Sequence, residues 1–383
     1  MFEFSTANKI IFGEGTAEQL PDLVRGYGNR LLIVTGRTPQ RFSELFERIA
    51  SKGIDSVSIP IHREPSLGDI ESALQVAREH QAQVVLGIGG GSALDAAKAV
   101  AALLGNPGSV LDYLEVIGLG RSLESPGVPC IAVPTTAGTG AEVTRNAVID
   151  VPAHAVKVSL RSEYLLPKIA LLDPLLARSV PPQITADTGF DALAQVMEPY
   201  VSNRANPMTD ALALAGMALA ARSLRNAYFN GNDVQARSDM ALVSLWGGMC
   251  LANARLGAVH GLAAPIGGLT HAAHGAVCAA LLTSVMRVNV AVARRHPAGS
   301  IVLERYRAVA QALTDDVSAS IEQGIGWLEQ LTTELGVKSL SKLGLATNQL
   351  DTIADRGLRA SSMQGNPLPL ERTDLLEILN LCT

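Results

Sequence analysis

Cysteine is scarce in this chain of 383 residues, and its four copies show no paired spacing. We therefore expect no disulfide framework. The cysteines are expected to be reduced thiols in a cytoplasmic protein. Cys278 lies one helical turn after His274 in the sequence. We expect this cysteine to serve as a small buried hydrophobic residue.

Long runs of one charge and long apolar runs are also absent. The chain carries 31 basic and 36 acidic residues, a formal net charge of −5. Nothing in this balance suggests a surface for nucleic acid or for an anionic membrane. The N-terminus has no basic start followed by an apolar core, so we expect no signal peptide. The longest apolar runs, such as residues 275–286, are too short to span a bilayer.

The pattern of secondary-structure signals changes near residue 178. Before it, short β-rich runs alternate with helical patterns, which predicts a parallel sheet with crossover helices. After Pro181-Pro182 the chain is rich in Ala and Leu, and this predicts a helical domain. We expect two domains, 1–178 and 179–383, with the active site in a cleft between them. The predicted strands are residues 31–35, 56–61, 84–88, 130–134 and 169–172, and the predicted helices are 208–228, 236–256, 301–313 and 321–335.

A glycine turn lies in the first half. A buried strand ending at Ile88 runs into Gly89-Gly90-Gly91-Ser92 and then an Ala-rich helix. Free N–H groups at a helix start bind anions, and glycines let a pyrophosphate come close. The pattern departs from the usual G-x-G-x-x-G fingerprint, so a simple packing turn is the alternative. A second strand, residues 131–134, runs into a Thr/Gly loop whose hydroxyls and amides suit phosphate, ribose or nicotinamide groups.

A metal site is predicted in the second half. Asp191 and Gln195 are four residues apart, so on a helix they share one face. His260 and His274 follow in a Gly-rich stretch, and imidazoles are common ligands of divalent transition metals. Spacing alone leaves ordinary core or surface histidines as the alternative.

Together these segments resemble the iron-containing, group III alcohol dehydrogenase family, nearly end to end. The resemblance implies a Rossmann-like parallel-sheet domain followed by a helical domain, as in the dehydroquinate synthase-like fold. It also implies an NAD(P)-dependent enzyme that interconverts alcohols and aldehydes or ketones by metal-assisted hydride transfer. The matching motifs are Ile11-Phe12-Gly13-Glu14-Gly15, Gly89-Gly90-Gly91-Ser92-Ala93-Leu94-Asp95, Pro134-Thr135-Thr136-Ala137-Gly138-Thr139-Gly140-Ala141-Glu142-Val143-Thr144, Leu172-Asp173-Pro174, Thr188-Gly189-Phe190-Asp191-Ala192-Leu193, Gly257-Ala258-Val259-His260-Gly261 and His274-Gly275.

Cofactor choice depends on the tip of the strand at residues 31–35. An acidic residue there favours NAD, but the chain continues Gly36-Arg37. A small residue leaves room for a 2′-phosphate, and Arg37 or Arg41 can pair with it, which favours NADP over NAD. Two solvated surface arginines are the alternative. The residues expected to bind the cofactor are Gly36, Arg37, Gly89, Gly90, Gly91, Ser92, Asp95, Thr135, Thr136 and Thr139.

The sequence departs from the family at two positions in the expected active site. The family typically holds its metal with one Asp and three His, and the positions here are Asp191, Gln195, His260 and His274. An amide is a weaker donor than imidazole, so Gln195 is expected to be a weak fourth ligand or to hydrogen-bond substrate. The related glycerol dehydrogenase-like branch binds zinc with one Asp and two His, so a divalent metal, Fe or Zn, is still expected.

The second departure is Ala264, where the family usually has a further His for proton relay or substrate contact. His271 is the nearest replacement in sequence. It lies three residues before His274, so on a helix both imidazoles can reach one pocket. A solvated His beside a turn is the alternative.

Three other functions remain open. A maleylacetate-reductase-like enzyme would reduce a keto acid, with Arg145, Lys157 or Arg161 as basic pocket residues. A nucleotide-binding protein without redox chemistry would have a site decayed at Gln195 and Ala264. A lyase resembling dehydroquinate synthase fits the intact Asp191 and His260 motifs less well. Family resemblance suggests a homodimer or larger assembly.

Overall fold

The computed structural model describes residues 1–115, 117–154 and 156–383. The chain forms two compact units. The α/β unit consists of residues 6–136 and 140–177, and the helical unit consists of residues 1–5, 137–139 and 178–383.

The α/β unit is built on a six-stranded sheet in the order β1-β8-β5-β4-β2-β3, and every pair in it is parallel. A separate antiparallel hairpin joins β6 to β7. The strands are β1 (Lys9–Phe12), β2 (Arg30–Thr35), β3 (Asp55–Pro60), β4 (Val84–Gly89), β5 (Cys130–Pro134), β6 (Asn146–Val151), β7 (Val156–Arg161) and β8 (Ile169–Leu172). The α-helices are α1 (Leu20–Arg25), α2 (Ser43–Ser51), α3 (Leu67–Glu79), α4 (Gly91–Leu103) and α5 (Val110–Tyr113).

Strand β2 shows why this sheet is covered on both faces. Its side chains alternate between two apolar clusters: Leu31 and Ile33 pack in one, and Leu32 and Val34 pack in the other. A strand buried on both sides reads as a continuous apolar run, which is the pattern of a parallel sheet with crossover helices. The predicted parallel sheet is confirmed.

The hairpin and β1 were not predicted. In β6 the buried residues Ala147, Ile149 and Val151 alternate with partly exposed ones, so this strand has one covered face. That period of two was present in the sequence but was short and adjoined the Thr/Gly loop. Strand β1 has four residues, none fully buried, and so carries little apolar signal.

The helical unit has one continuous core. Helix α6 is buried on nearly every side and packs closely on α7: a Cβ at Gly189 would lie 2.2 Å from Leu224 Cδ1, and one at Gly216 would lie 2.8 Å from Val196 Cγ1. Its helices are α6 (Pro182–Val201), α7 (Pro207–Phe229), α8 (Val234–Ala254), α9 (Ala258–Thr270), α10 (His274–Arg295), α11 (Gly299–Thr314), α12 (Ile321–Glu334), α13 (Leu350–Arg359) and α14 (Arg372–Cys382).

Local signals explain the helix boundaries. The Asn206 side chain accepts hydrogen bonds from the N–H groups of Met208 and Thr209 at 3.2 Å, and Pro207 occupies the first helical position of α7. Helices α7, α8, α11 and α12 lie where they were predicted, within two residues at each end. Helix α10 is long and apolar enough to cross a membrane, but 67% of its apolar window is buried in the protein, as in a core helix.

Candidate metal centre and cofactor loops

Helix α6 buries three carboxylate or amide side chains in the helical core. Asp191, Gln195 and Glu198 follow one another at helical spacing and are 1, 2 and 5% exposed. Polar groups buried this deeply need partners. Those partners come from α9 and α10 and from the segment at Gly138.

Helix α9 places His260 against two of these groups. Its imidazole Nδ1 lies 2.7 Å from Glu198 Oε2, and its Nε2 lies 3.2 Å from Asp191 Oδ1. Glu198 also accepts the N–H of Val259 at 2.7 Å, so this carboxylate caps the positive end of α9. Gly257 permits this approach, because a Cβ there would lie 3.0 Å from Glu198 Oε1.

Helix α10 begins at His274 and brings a second imidazole to the same place. Its Nε2 lies 3.7 Å from Asp191 Oδ1. The following residue, Gly275, sits against α6: a Cβ there would lie 2.5 Å from the carbonyl oxygen of Asp187. The glycine after His274 is therefore explained by close packing of two helices. The imidazole faces Asp191, and 36% of the His274 side chain stays exposed.

Four side chains converge at this point. Asp191, His260, His274 and Cys278 each offer a ligand atom, and these atoms all lie within 4.8 Å of one another. The hydrogen bond from Nδ1 to Glu198 leaves His260 Nε2 free to bind a cation through its lone pair. A carboxylate with two imidazoles is also the donor set of known catalytic zinc sites. The residues present therefore fit a divalent metal.

The electrostatics of the cluster favour a cation. Burial raises the pKa of Asp191, but the His274 charge and the His260 hydrogen bond outweigh it and lower the pKa to about 2. Burial lowers the pKa of His274, yet Cys278 and Asp191 raise it to about 9. The pKa of His260 is raised well above its usual value, since Cys278, Asp191 and Glu198 outweigh burial. Protons and a metal ion compete for these imidazole nitrogens.

Gln195 points its amide nitrogen at fixed partners. Nε2 donates to the carbonyl oxygen of Gly138 at 3.3 Å, and the side chain also hydrogen-bonds Asp191. The oxygen of the same amide, Oε1, is buried and has no hydrogen-bond partner among the described residues. An unpaired buried acceptor is costly, so this oxygen is available to a hydroxyl group or a cation.

His271 and Ala264 lie outside this cluster. Helix α9 ends at Thr270, and His271 is exposed in a left-handed turn (φ 56°) before α10 begins at His274. The helical spacing that suggested a shared pocket for His271 and His274 is therefore wrong. Ala264 is exposed on α9, one turn after His260.

The glycine turn of the α/β unit is tightly built. A Cβ at Gly89 would lie 2.7 Å from Ala93 Cβ and 3.2 Å from the Gly36 nitrogen, and one at Gly90 would lie 3.3 Å from Thr136 Oγ1. Helix α4 begins at Gly91 with no side-chain cap, so its first N–H groups point into this turn. The glycine turn thus offers backbone N–H groups, and its glycines carry no side chains that would keep a ligand away.

The neighbouring strand ends lie beside this turn. The N–H of Thr135 donates to the carbonyl oxygen of Gly89 at 2.9 Å. A Cβ at Gly36 would meet no atom within 4 Å, and the buried Thr35 Oγ1 finds no partner in the described part of the chain. Arg37 is exposed, and its Nε donates to the carbonyl oxygen of His62.

Asp95 is anchored on α4. Oδ1 pairs with Lys98 Nζ at 3.0 Å, and Oδ2 accepts the N–H of Val148 at 3.0 Å. Its side chain keeps 14% exposure. Ser92 is partly buried on the same helix, and Thr139 belongs to the segment that clusters with the helical unit.

The three basic residues considered for a keto-acid pocket are each paired with a carboxylate. Arg161 Nη1 lies 2.9 Å from Glu115 Oε2, Arg145 pairs with Glu163, and Lys157 pairs with Glu64. Their charges are largely compensated locally, which weakens the case for an anionic substrate at these residues.

The sequence did not predict two residues that contact the histidines of this cluster. Glu198 lies seven residues after Asp191, so helical spacing could have placed both on one face. Cys278 was taken as a small buried residue, and it is buried, but its thiol faces two imidazoles.

A parallel-sheet α/β unit and a helical unit with an Asp–His–His cluster place the chain among two-unit α/β and α-helical proteins, and comparison with known proteins gives the family. The family model for iron-containing alcohol dehydrogenase matches residues 7–174, and the model for the C-terminal part of that family matches residues 185–382. The chain belongs to the iron-containing alcohol dehydrogenase family and is an enzyme that interconverts alcohols and aldehydes or ketones.

Several relatives are similar over their whole length. Long-chain-alcohol dehydrogenase 1 of Geobacillus thermodenitrificans is 37% identical, covering 96% of this chain and 93% of the relative. NAD-dependent methanol dehydrogenase of Bacillus methanolicus is 30% identical, covering 99% of each. The crystal structure of a 1,3-propanediol oxidoreductase superposes with a TM-score of 0.93 at 29% identity, covering 100% of both chains. Family membership supports NAD and a divalent metal as cofactors and a small alcohol or aldehyde as substrate.

Proposed function

We propose that Asp191, His260 and His274 hold the divalent metal of this dehydrogenase, with Gln195 beside it. The observation that carries the proposal is the convergence of one carboxylate oxygen and two imidazole nitrogens in the helical unit, within 4.8 Å of one another. Glu198 supports the site by fixing the orientation of His260. On this proposal the helical unit is the metal- and substrate-binding domain, and the α/β unit is the dinucleotide-binding domain.

A bound metal would supply Lewis acidity toward the substrate oxygen, while the nicotinamide would exchange hydride with the substrate carbon. The chain's own groups orient the reactants. The unpaired Gln195 Oε1 is an acceptor for the substrate hydroxyl. His271, exposed at the turn before His274, is our proposal for proton exchange with solvent.

The cofactor is proposed to lie on the glycine turn and the strand ends around it. The N–H groups at the start of α4 would bind the pyrophosphate, with Gly89, Gly90, Gly91, Ser92 and Asp95 lining the turn. Thr135, Thr136 and Thr139 supply hydroxyls and amides for the ribose and nicotinamide groups.

NADP is proposed to be used in preference to NAD. Open space at Gly36 leaves room for a 2′-phosphate, and the exposed Arg37 can pair with it. Gly36→Asp would place a like charge there, which costs several kcal/mol, so kcat/KM for NADPH should fall at least ~10-fold relative to NADH. A wild-type preference for NADH, unchanged in this variant, would overturn the assignment.

The substrate class is a small alcohol or its aldehyde, and the protein is proposed to act in the cytoplasm as a homodimer or larger assembly. Steady-state reduction of a panel of aldehydes and ketones, with NADPH or NADH and with added Zn²⁺ or Fe²⁺, tests the function. We expect turnover that is lost in Asp191→Ala. No turnover across the panel would contradict the proposal and favour a nucleotide-binding protein without redox chemistry.

A further inference from the structure

Cys278 lies one helical turn after His274 on α10, and its thiol faces the same space as the two imidazoles. Its Sγ lies 3.6 Å from His274 Nε2 and 4.0 Å from His260 Nε2. We propose that Cys278 is the fourth protein ligand of the metal, beside Asp191, His260 and His274. This inference rests on the metal site proposed above.

The separations between donor atoms fit this assignment. Zinc bonds of about 2.0 Å to nitrogen or oxygen and about 2.3 Å to sulfur, arranged tetrahedrally, place donor atoms roughly 3.3 to 3.6 Å apart. Four of the six pairs in this cluster are separated by 3.2, 3.6, 3.7 and 4.0 Å. The other two pairs lie within 4.8 Å. Small side-chain movements are enough to bring all of the donors to one ion.

Gln195 does not compete well for the same position. Its amide nitrogen is held by the Gly138 carbonyl and hydrogen-bonds Asp191, so the end of the side chain that faces the carboxylate is a donor. An N–H donor cannot coordinate a cation. The oxygen at the other end is a neutral, weak ligand, whereas a thiolate is anionic and soft.

A thiolate ligand also affects which metals the site prefers. With Asp191, Cys278 gives the site two anionic ligands, which balance the charge of a divalent ion. Soft thiolate ligands favour zinc over ions that prefer oxygen donors. The cluster would therefore supply four protein ligands, one of them sulfur.

Cobalt substitution in the full-length protein tests this directly. Protein stripped of metal by a chelator is refilled with Co²⁺, and its absorbance spectrum is recorded. We expect a thiolate-to-cobalt charge-transfer band in the near ultraviolet in the wild type, lost in Cys278→Ala. The matched control is Cys250→Ala: that thiol is equally buried, but its Sγ contacts the carbonyl oxygen of Thr209 at 3.4 Å. The band should persist in this control.

Zinc affinity, measured by competition with a chromophoric chelator, gives a second readout. Loss of a ligand should weaken binding by ~10-fold or more in Cys278→Ala and leave Cys250→Ala unchanged. If Cys278→Ala does not fold, the wild-type spectrum still decides. Cobalt bound without a charge-transfer band would overturn the role of Cys278 and leave the proposed metal site standing. Failure of the wild type to bind either Co²⁺ or Zn²⁺ would overturn both.

Discussion

Two clusters of charged groups on helices, one in each unit, differ in where their donors point. In the α/β unit, the Lys98 ammonium on α4 is 1% exposed and donates to Ala141 O and Thr144 Oγ1 at 2.9 Å, besides pairing with Asp95. In the helical unit, Asp191, His260 and His274 point their ligand atoms at one another. The first cluster is saturated by its own neighbours, and the second is arranged around a shared centre.

The contrast distinguishes a structural charge from the proposed metal site. A buried ammonium with oxygen partners on several elements ties those elements together, and losing it leaves its partners unsatisfied. Converging carboxylate, imidazole and thiol groups hold competing charges close together, which a divalent cation satisfies better than protons do. Burial and charge alone do not distinguish the Lys98 cluster from the Asp191 cluster. The two clusters differ in the direction in which their polar atoms point.

Asp191→Asn gives the largest expected effect, because it removes the anionic oxygen at the centre of the cluster. Polarisation of a substrate oxygen by a metal is worth several kcal/mol, so kcat/KM should fall about a thousandfold. Steady-state kinetics at saturating metal measure this. Asp187→Asn is the matched control one turn earlier on α6, where the carboxylate bonds Gln183, and it should keep near wild-type activity.

Lys98→Met tests the saturated cluster. Removing the buried ammonium leaves Asp95 and several backbone oxygens without their partner, which should lower the free energy of unfolding by ~3–5 kcal/mol. Urea denaturation measures the loss. Lys52→Met breaks an exposed pair with Asp22 and should cost under about 1 kcal/mol. Equal, small effects of both substitutions would remove the distinction between the clusters.

Glu198→Gln sharpens the role of the group behind His260. The amide keeps the size of the side chain but loses the charge that orients the imidazole and caps α9. Metal affinity should fall ~10–100-fold, with the wild-type cobalt spectrum otherwise retained. Titration with a competing chelator measures it. An unchanged affinity would mean that Glu198 serves α9 alone.

The pH dependence of stability is the smallest effect. The pKa of His274 is raised from 6.5 to about 9, so its stabilising contribution in metal-free protein is complete below pH 6.5 and lost as pH rises to about 9. Metal binding strengthens over the same range, because protons no longer compete. The difference in Tm between metal-loaded and chelator-treated protein should therefore widen from pH 6.5 to 9. A difference that narrows would contradict the shared-centre account.

Much of this could be predicted from the sequence where the signal is periodic. The apolar run of β2 predicted a strand covered on both faces, and the spacing of Asp191 and Gln195 correctly placed both on one helix face. The helical spacing assumed for His271 and His274 was wrong, because helix α9 ends at Thr270. The role of Cys278 needs α9 and α10 packed together, since the thiol's second neighbour, His260, is eighteen residues away. Tertiary contact of that kind leaves no local pattern.

Elemental analysis of protein purified without chelator or a metal-binding tag tests the central claim most directly. We expect a near-stoichiometric content of divalent transition metal in the wild type and loss of that metal in Asp191→Ala. Metal absent from the wild type even after reconstitution, or metal retained in Asp191→Ala, would contradict the assignment of the Asp191, His260 and His274 cluster as the metal centre.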